Sequence, residues 1–204
     1  VNLDPQRYDS VPAYDLLVAA GHGRIGIDHR FLHAILDHRE KAIPDLVRFA
    51  AENHESDPLN LEEELISMFR CFHAPEALDF YLKLVRQDPE QVSDELVDAF
   101  VHAGAAALEP LLALYEDLGE ENSGDVGFLL AALRARDPRV LKILTDRLEY
   151  DLSDAAICLD MYGDPAAIPA IERALQGLPE SEGQLRHELA SVIESLHEPK
   201  NEPV

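Results

Sequence analysis

From about residue 27 onward, apolar side chains recur at three- and four-residue intervals, in blocks closed by glycine, proline or Asp-Pro signals. That spacing gathers the apolar positions into one stripe of a helix. Phe31, Leu32, Ile35 and Leu36 form the first stripe, and Ile43, Leu46, Val47 and Ala50 the second. Leu61, Leu65, Phe69 and Phe72 lead to Leu78, Tyr81, Leu82 and Val85, then Leu96, Val97, Phe100 and Val101 to Leu108, Leu111, Leu112 and Tyr115. The pattern continues through Leu129, Leu130 and Leu133 with Val140, Leu141, Leu144 and Leu148, and through Ala155, Ile157, Cys158 and Met161 with Ile168, Ile171 and Leu175. A last stripe holds Leu185, Leu189, Val192, Ile193 and Leu196.

Taken in pairs, the second helices open near Glu40, Pro75, Ala105, Pro138 and Pro165, at spacings of 35, 30, 33 and 27 residues. A helix pair repeated at about 30 to 40 residues is the pattern of an α-solenoid, because no pair buries its apolar stripe without a neighbour. The expected fold is all-α: an α-α superhelix of about five helix pairs over residues 27–198. Residues 1–26, broken by Pro5, Pro12, Gly21, Gly23 and Gly26 around a short helix at 13–20, read as an N-terminal cap. Residues 199–204 read as a linker-like tail, with room for a further domain beyond.

The boundaries have a local chemistry. Aspartate or serine accepts from the free amides of a first turn, proline sits where an amide would be unpaired, and glycine adopts the left-handed geometry that ends a helix. Asn60 with Glu63 and Ser181 with Gln184 read as reciprocal capping boxes, and Asp88-Pro89-Glu90-Gln91 as a helix opening. The segments Asp137-Pro138-Arg139-Val140-Leu141-Lys142-Ile143-Leu144 and Gly163-Asp164-Pro165-Ala166-Ala167-Ile168-Pro169-Ala170-Ile171-Glu172-Arg173-Ala174-Leu175 resemble short bacterial HEAT-like repeats of the phycobilisome-lyase type. In that family a Gly-Asp-x-x-Ala-Ile-x-x-Leu pattern opens the second helix. The resemblance is best over residues 137–175 and implies a HEAT-like or armadillo-type solenoid. Such repeats serve scaffolds, chaperones, lyases and a few enzymes, so it carries fold rather than function.

Charge narrows the partners. The chain has 17 Lys and Arg against 40 Asp and Glu, a formal net charge of −23. That field repels nucleic acid and anionic membranes, and suits a basic partner or cations. Residues 87–133 carry eleven acids and no Lys or Arg; Arg134, Arg136, Arg139, Lys142 and Arg147 then follow within fourteen residues. Cys71 and Cys158, in apolar helical contexts, read as core thiols. No apolar run reads as membrane-spanning and no signal pattern opens the chain, so a cytoplasmic setting is expected.

Catalytic constellations are not expected. His54-Glu55, His187-Glu188 and His197-Glu198 are the pair type through which HEAT-type deoxyhypusine hydroxylases bind di-iron, but they fall at nonequivalent helix positions. Among His22, His29, His33 and His38, only His29 and His33 share a helix face at metal-competent spacing. With His187 they are the candidate metal ligands, against an expectation of solvated histidines and no cofactor. Gly21-His22-Gly23-Arg24-Ile25-Gly26 mimics a dinucleotide loop but lacks the preceding strand that motif needs. What remains is the face of the second helices, the concave side of such arrays. Two columns off the apolar stripe are Arg48, Lys83, Ala113, Asp146 and Arg173, and Pro44, Asp79, Glu109, Lys142 and Pro169. Arg48, Asp79, Lys83, Glu109, Lys142, Asp146 and Arg173 are therefore the candidate contacts for a protein or peptide partner. The leading expectation is a non-catalytic interaction scaffold; the alternative is a metal-dependent or chromophore-handling, lyase-like repeat protein.

Overall fold

The computed structural model describes residues 8–37, 39–52, 61–119 and 123–197, and among these every regular element is helical. The chain divides into two compact units, Val1–Gln87 with Ser93–Ala103, and Asp88–Val92 with Gly104–Val204.

The first unit holds α1 (Ala13–Gly21), α2 (His29–Leu36), α3 (Arg39–Ala51), α4 (Glu62–Phe72), α5 (Leu78–Gln87) and α6 (Asp94–Ala103). Helices pack chiefly on the next one and the next but one: α1 on α3, α3 on α4 and α5, α4 on α6, α5 on α6. Asp28 caps α2, accepting from the Arg30 and Phe31 amides at 2.9 and 3.1 Å. The core is aromatic. Phe69, Tyr81 and Phe100 meet edge to face, with centroids 6.4 and 5.8 Å apart, and burial pushes the Tyr81 phenol up to about 12.

The second unit holds α7 (Leu108–Leu118), α8 (Val126–Ala132), α9 (Pro138–Asp146), α10 (Leu152–Tyr162), α11 (Ile168–Gly177) and α12 (Gly183–His197). Here α7 packs on α8, α8 on α9 and α10, and α12 on α10 and α11. Asp137 and Asp164 accept from the amides two residues on, at 2.8 and 2.9 Å, ahead of Pro138 and Pro165. Gly163, at φ 68°, ends α10. The second helices thus open at Arg39, Pro75, Gly104, Pro138 and Pro165, three of them through a 3-10 turn.

Tertiary hydrogen bonds in both units join residues 25–33 positions apart. Tyr14 N donates to Asp45 across 31 residues and Lys83 Nζ to the Ala50 carbonyl across 33. In the second unit Tyr162 Oη donates to the Ala135 carbonyl at 2.6 Å, and the Asp137 amide returns a bond to Tyr162 Oη at 3.0 Å.

A charged group lies deep in the second unit. Arg147, at the end of α9, is 6% exposed. Its guanidinium donates to the Gly124 carbonyl ahead of α8, at 3.2 Å, and pairs with Asp154 of α10. It fits because residue 127 is glycine: a Cβ there would lie 2.4 Å from an Arg147 nitrogen. Gly124, at φ 36°, is equally required, since a Cβ would meet the Pro89 carbonyl oxygen at 2.2 Å.

Several sequence expectations are corrected. No helix opens at Asp88-Pro89; α6 opens at Asp94, where Ser93 Oγ accepts from the Leu96 amide at 3.3 Å. The Pro89 carbonyl accepts from the Asp125 amide at 2.7 Å and the Asp125 carboxylate from Val92 N at 3.1 Å, which commits residues 88–92 to a turn. Helix α12 opens at Gly183 rather than Ser181, because a turn from Pro179 to Glu182 precedes it; Gln184 instead donates to Glu188 at 3.0 Å. Asn60 of the other expected box lies outside the described residues, as do residues 199–204.

Cys71 is exposed, since Leu65, Ile66, Met68, Phe69 and Phe72 take the buried side of α4; Cys158 is buried, and burial pushes its thiol up to about 12. Leu32, Val101 and Ile157 are 36%, 47% and 56% exposed, lying beyond the width of stripe that packing covers. The stretch Asp94–Leu118 is long and apolar enough to cross a membrane by length and composition, contrary to the sequence reading. It is broken at Gly104 (φ 59°), and each half buries large apolar residues, Leu96 and Phe100 in α6 and Leu111, Leu112 and Leu114 in α7.

Replacing Gly127 with alanine should destabilise the fold by about 1–3 kcal/mol, the cost of overpacking a filled core. Thermal unfolding by circular dichroism checks this. An unchanged Tm would mean that the guanidinium is not confined.

Candidate functional site

All seven candidate contacts lie on second helices. In the first unit Arg48 is on α3, and Asp79 and Lys83 are on α5; in the second Glu109 is on α7, Lys142 and Asp146 on α9, and Arg173 on α11. Asp146 is half-buried and the rest are exposed. Helical periodicity explains this placement, because each residue sits off the stripe that packing claims.

Arg48 lies over the Tyr14 ring, its guanidinium carbon 3.9 Å from the centroid, and pairs with Glu52 at 3.2 Å. Among the described residues no ion pair joins Asp79 to Lys83, although they are four apart; the lysine reaches the Ala50 carbonyl at 3.5 Å instead. Lys142 does pair with Asp146 one turn on. Glu109 has a partner that sequence reasoning missed. Arg139 grips its carboxylate with two nitrogens, at 3.0 and 2.5 Å, and also holds Asp137 at 2.8 Å. Arg173 stands exposed on α11.

Arg139 thus links the first turn of α9 to α7 across 30 residues. The electrostatics follow: the Arg139 side chain, then its backbone amide, hold the Asp137 carboxyl down at about 2. The same guanidinium lowers Glu109, and both acids raise Arg139. Arg136 acts similarly toward the end of α10, pairing with Asp164 at 3.4 Å, donating to the Gly163 carbonyl at 3.1 Å and lying 5.6 Å from the Tyr162 ring centroid. Four members of the basic cluster seen in the sequence (Arg136, Arg139, Lys142 and Arg147) are therefore paired with acids inside the second unit. The available signal was Asp-x-Arg at a helix start, where one carboxylate caps the helix and turns the arginine.

The metal candidates do not gather a ligand set. His29 and His33 are exposed on α2, and His33 approaches Asp37 at 3.7 Å. His187 is exposed on α12. Among the described residues no group of three or more His, Cys, Asp or Glu side chains could hold an ion. His38, His54, Glu55 and Glu198 lie outside the described residues.

No protein-family model, curated protein or solved structure matches this chain.

Because the Asp137 carboxyl titrates below its unfolded value, the stability it contributes is present above about pH 4 and is lost as pH falls toward about 2; Glu109, lowered by the same guanidinium, acts in the same direction. The Tm of the wild-type chain should fall more steeply across that interval than that of an Arg139→Gln variant. Parallel curves in calorimetry would mean that the triad adds nothing to folding.

Proposed function

We propose that this chain is a HEAT-like helical-repeat scaffold, without catalytic activity of its own, that binds a protein or peptide through the exposed faces of its second helices. The observation carrying this reading is the fixed, mixed-sign charge layout on α7, α9 and α11, where Glu109 is set by Arg139 and Lys142 is paired with Asp146, beside exposed Arg173. Charges ordered before contact lose less entropy on binding than mobile ones. Opposite signs side by side select a protein surface over a polyanion. The first unit offers Arg48, Asp79 and Lys83 on the equivalent helices. With a net charge of −23, partners with a basic face are favoured and steered.

Reversing Lys83, Lys142 and Arg173 to glutamate together tests the assignment. The variant should keep its melting temperature, because exposed pairs contribute only about 0.3–0.5 kcal/mol each. It should lose the partners that the wild-type chain retains when lysate is passed over both in parallel. Retention of the same partners by the folded triple variant would remove the second-helix faces from the reading.

A further inference from the structure

The first unit carries a side-chain pair that no sequence motif announces. His73 follows the last residue of α4, and His102 lies in the last turn of α6. Their ring planes are 13° from parallel, their centroids are 4.4 Å apart, and His102 Nε2 is in hydrogen-bonding contact with His73 Nδ1. Rings stacked face over face would hold the nitrogens as far apart as the planes, so these imidazoles meet edge to edge, each nitrogen aimed at the other. Both side chains are exposed.

Helix ends bring the pair together. His73 caps the end of α4 in the left-handed region at φ 50°, where histidine, like asparagine and aspartate, is enriched, and from there its ring reaches His102 of α6. Asp98, one turn before His102 on α6, is paired with Arg70 of α4 at 3.5 Å.

We infer that His73 and His102 form a two-imidazole surface site for a late first-row divalent ion (zinc, nickel or copper). Imidazole nitrogen selects these ions over magnesium and calcium, which require oxygen. Each ring binds through an unprotonated nitrogen. His73 uses Nδ1 while keeping its proton on Nε2, and His102 uses Nε2 with its proton on Nδ1. The neutral pair already holds these two protons, so binding shifts a tautomer and releases none. Metal–nitrogen bonds of about 2.0–2.1 Å part the nitrogens further than a hydrogen bond does, a movement that exposed rings at two helix ends can make. The ion would tie α4 to α6, and the field of a chain of net charge −23 concentrates cations around it.

The test is calorimetric titration of tag-free, chelator-stripped chain with Zn2+ and Ni2+, and with Mg2+ in parallel. Wild type should bind one equivalent of Zn2+ or Ni2+ in the micromolar range and show no matching Mg2+ site. His102→Ala and His73→Asn should each weaken binding more than about tenfold, since even an outer-shell partner of a metal ligand is worth that much. Asparagine tolerates the left-handed backbone, and helix content checked by circular dichroism separates ligand loss from unfolding. A His29→Ala/His33→Ala variant should bind like wild type. Undiminished binding by the folded His73 and His102 variants, equal binding of Mg2+, or no binding by wild type would each overturn the site.

Discussion

The guanidinium of Arg147 is the constraint on which the second unit is built. A lone charge in that core would cost several kcal/mol, so it persists only because its partners are fixed: the Gly124 carbonyl ahead of α8 and the Asp154 carboxylate on α10. Its Nε finds no acceptor among the described residues, which makes the two terminal contacts the whole of its compensation. The glycines at 124 and 127 follow from this. One lets the chain turn against Pro89, and the other leaves room for the guanidinium against α8. One side chain therefore sets the register of three successive helices, where apolar contacts alone would tolerate sliding.

The two units solve the same stacking problem with different chemistry. In the first, the edge-to-face contacts of Phe69, Tyr81 and Phe100 fill the space between α4, α5 and α6. In the second, leucines do the filling, while Arg147, Tyr162 and Arg139 set direction through hydrogen bonds to residues 23–30 positions away. This division bears on function. The basic cluster that stands out in the sequence is largely paired with acids within the unit itself, and Arg173 stands exposed on α11.

Much of the fold was legible because it rests on local rules. Asp137-Pro138, Gly163-Asp164-Pro165 and Asp28 act through amides two or three residues away, and sequence shows such neighbours directly. Asp88-Pro89 misled for the converse reason: its partner is Asp125, more than thirty residues on. Leu32, Val101 and Ile157 match the apolar period, but periodicity gives the centre of a stripe and not how far packing extends around it. Arg147 stands in the sequence only as one member of a basic cluster; Gly127, in a helix where glycine costs stability, alone marked the space it fills. His73 and His102 are 29 residues apart with no shared motif. The candidate contacts were legible as positions on helices, whereas their pairing, Arg139 with Glu109 above all, was not.

Hydrogen exchange read by mass spectrometry on an Arg147→Met variant tests the central claim most directly. If this side chain holds three helices in register, protection should fall together at the start of α8, the end of α9 and the first turn of α10, with α1–α5 unchanged. Loss confined to the end of α9, or spread evenly over both units, would contradict the account.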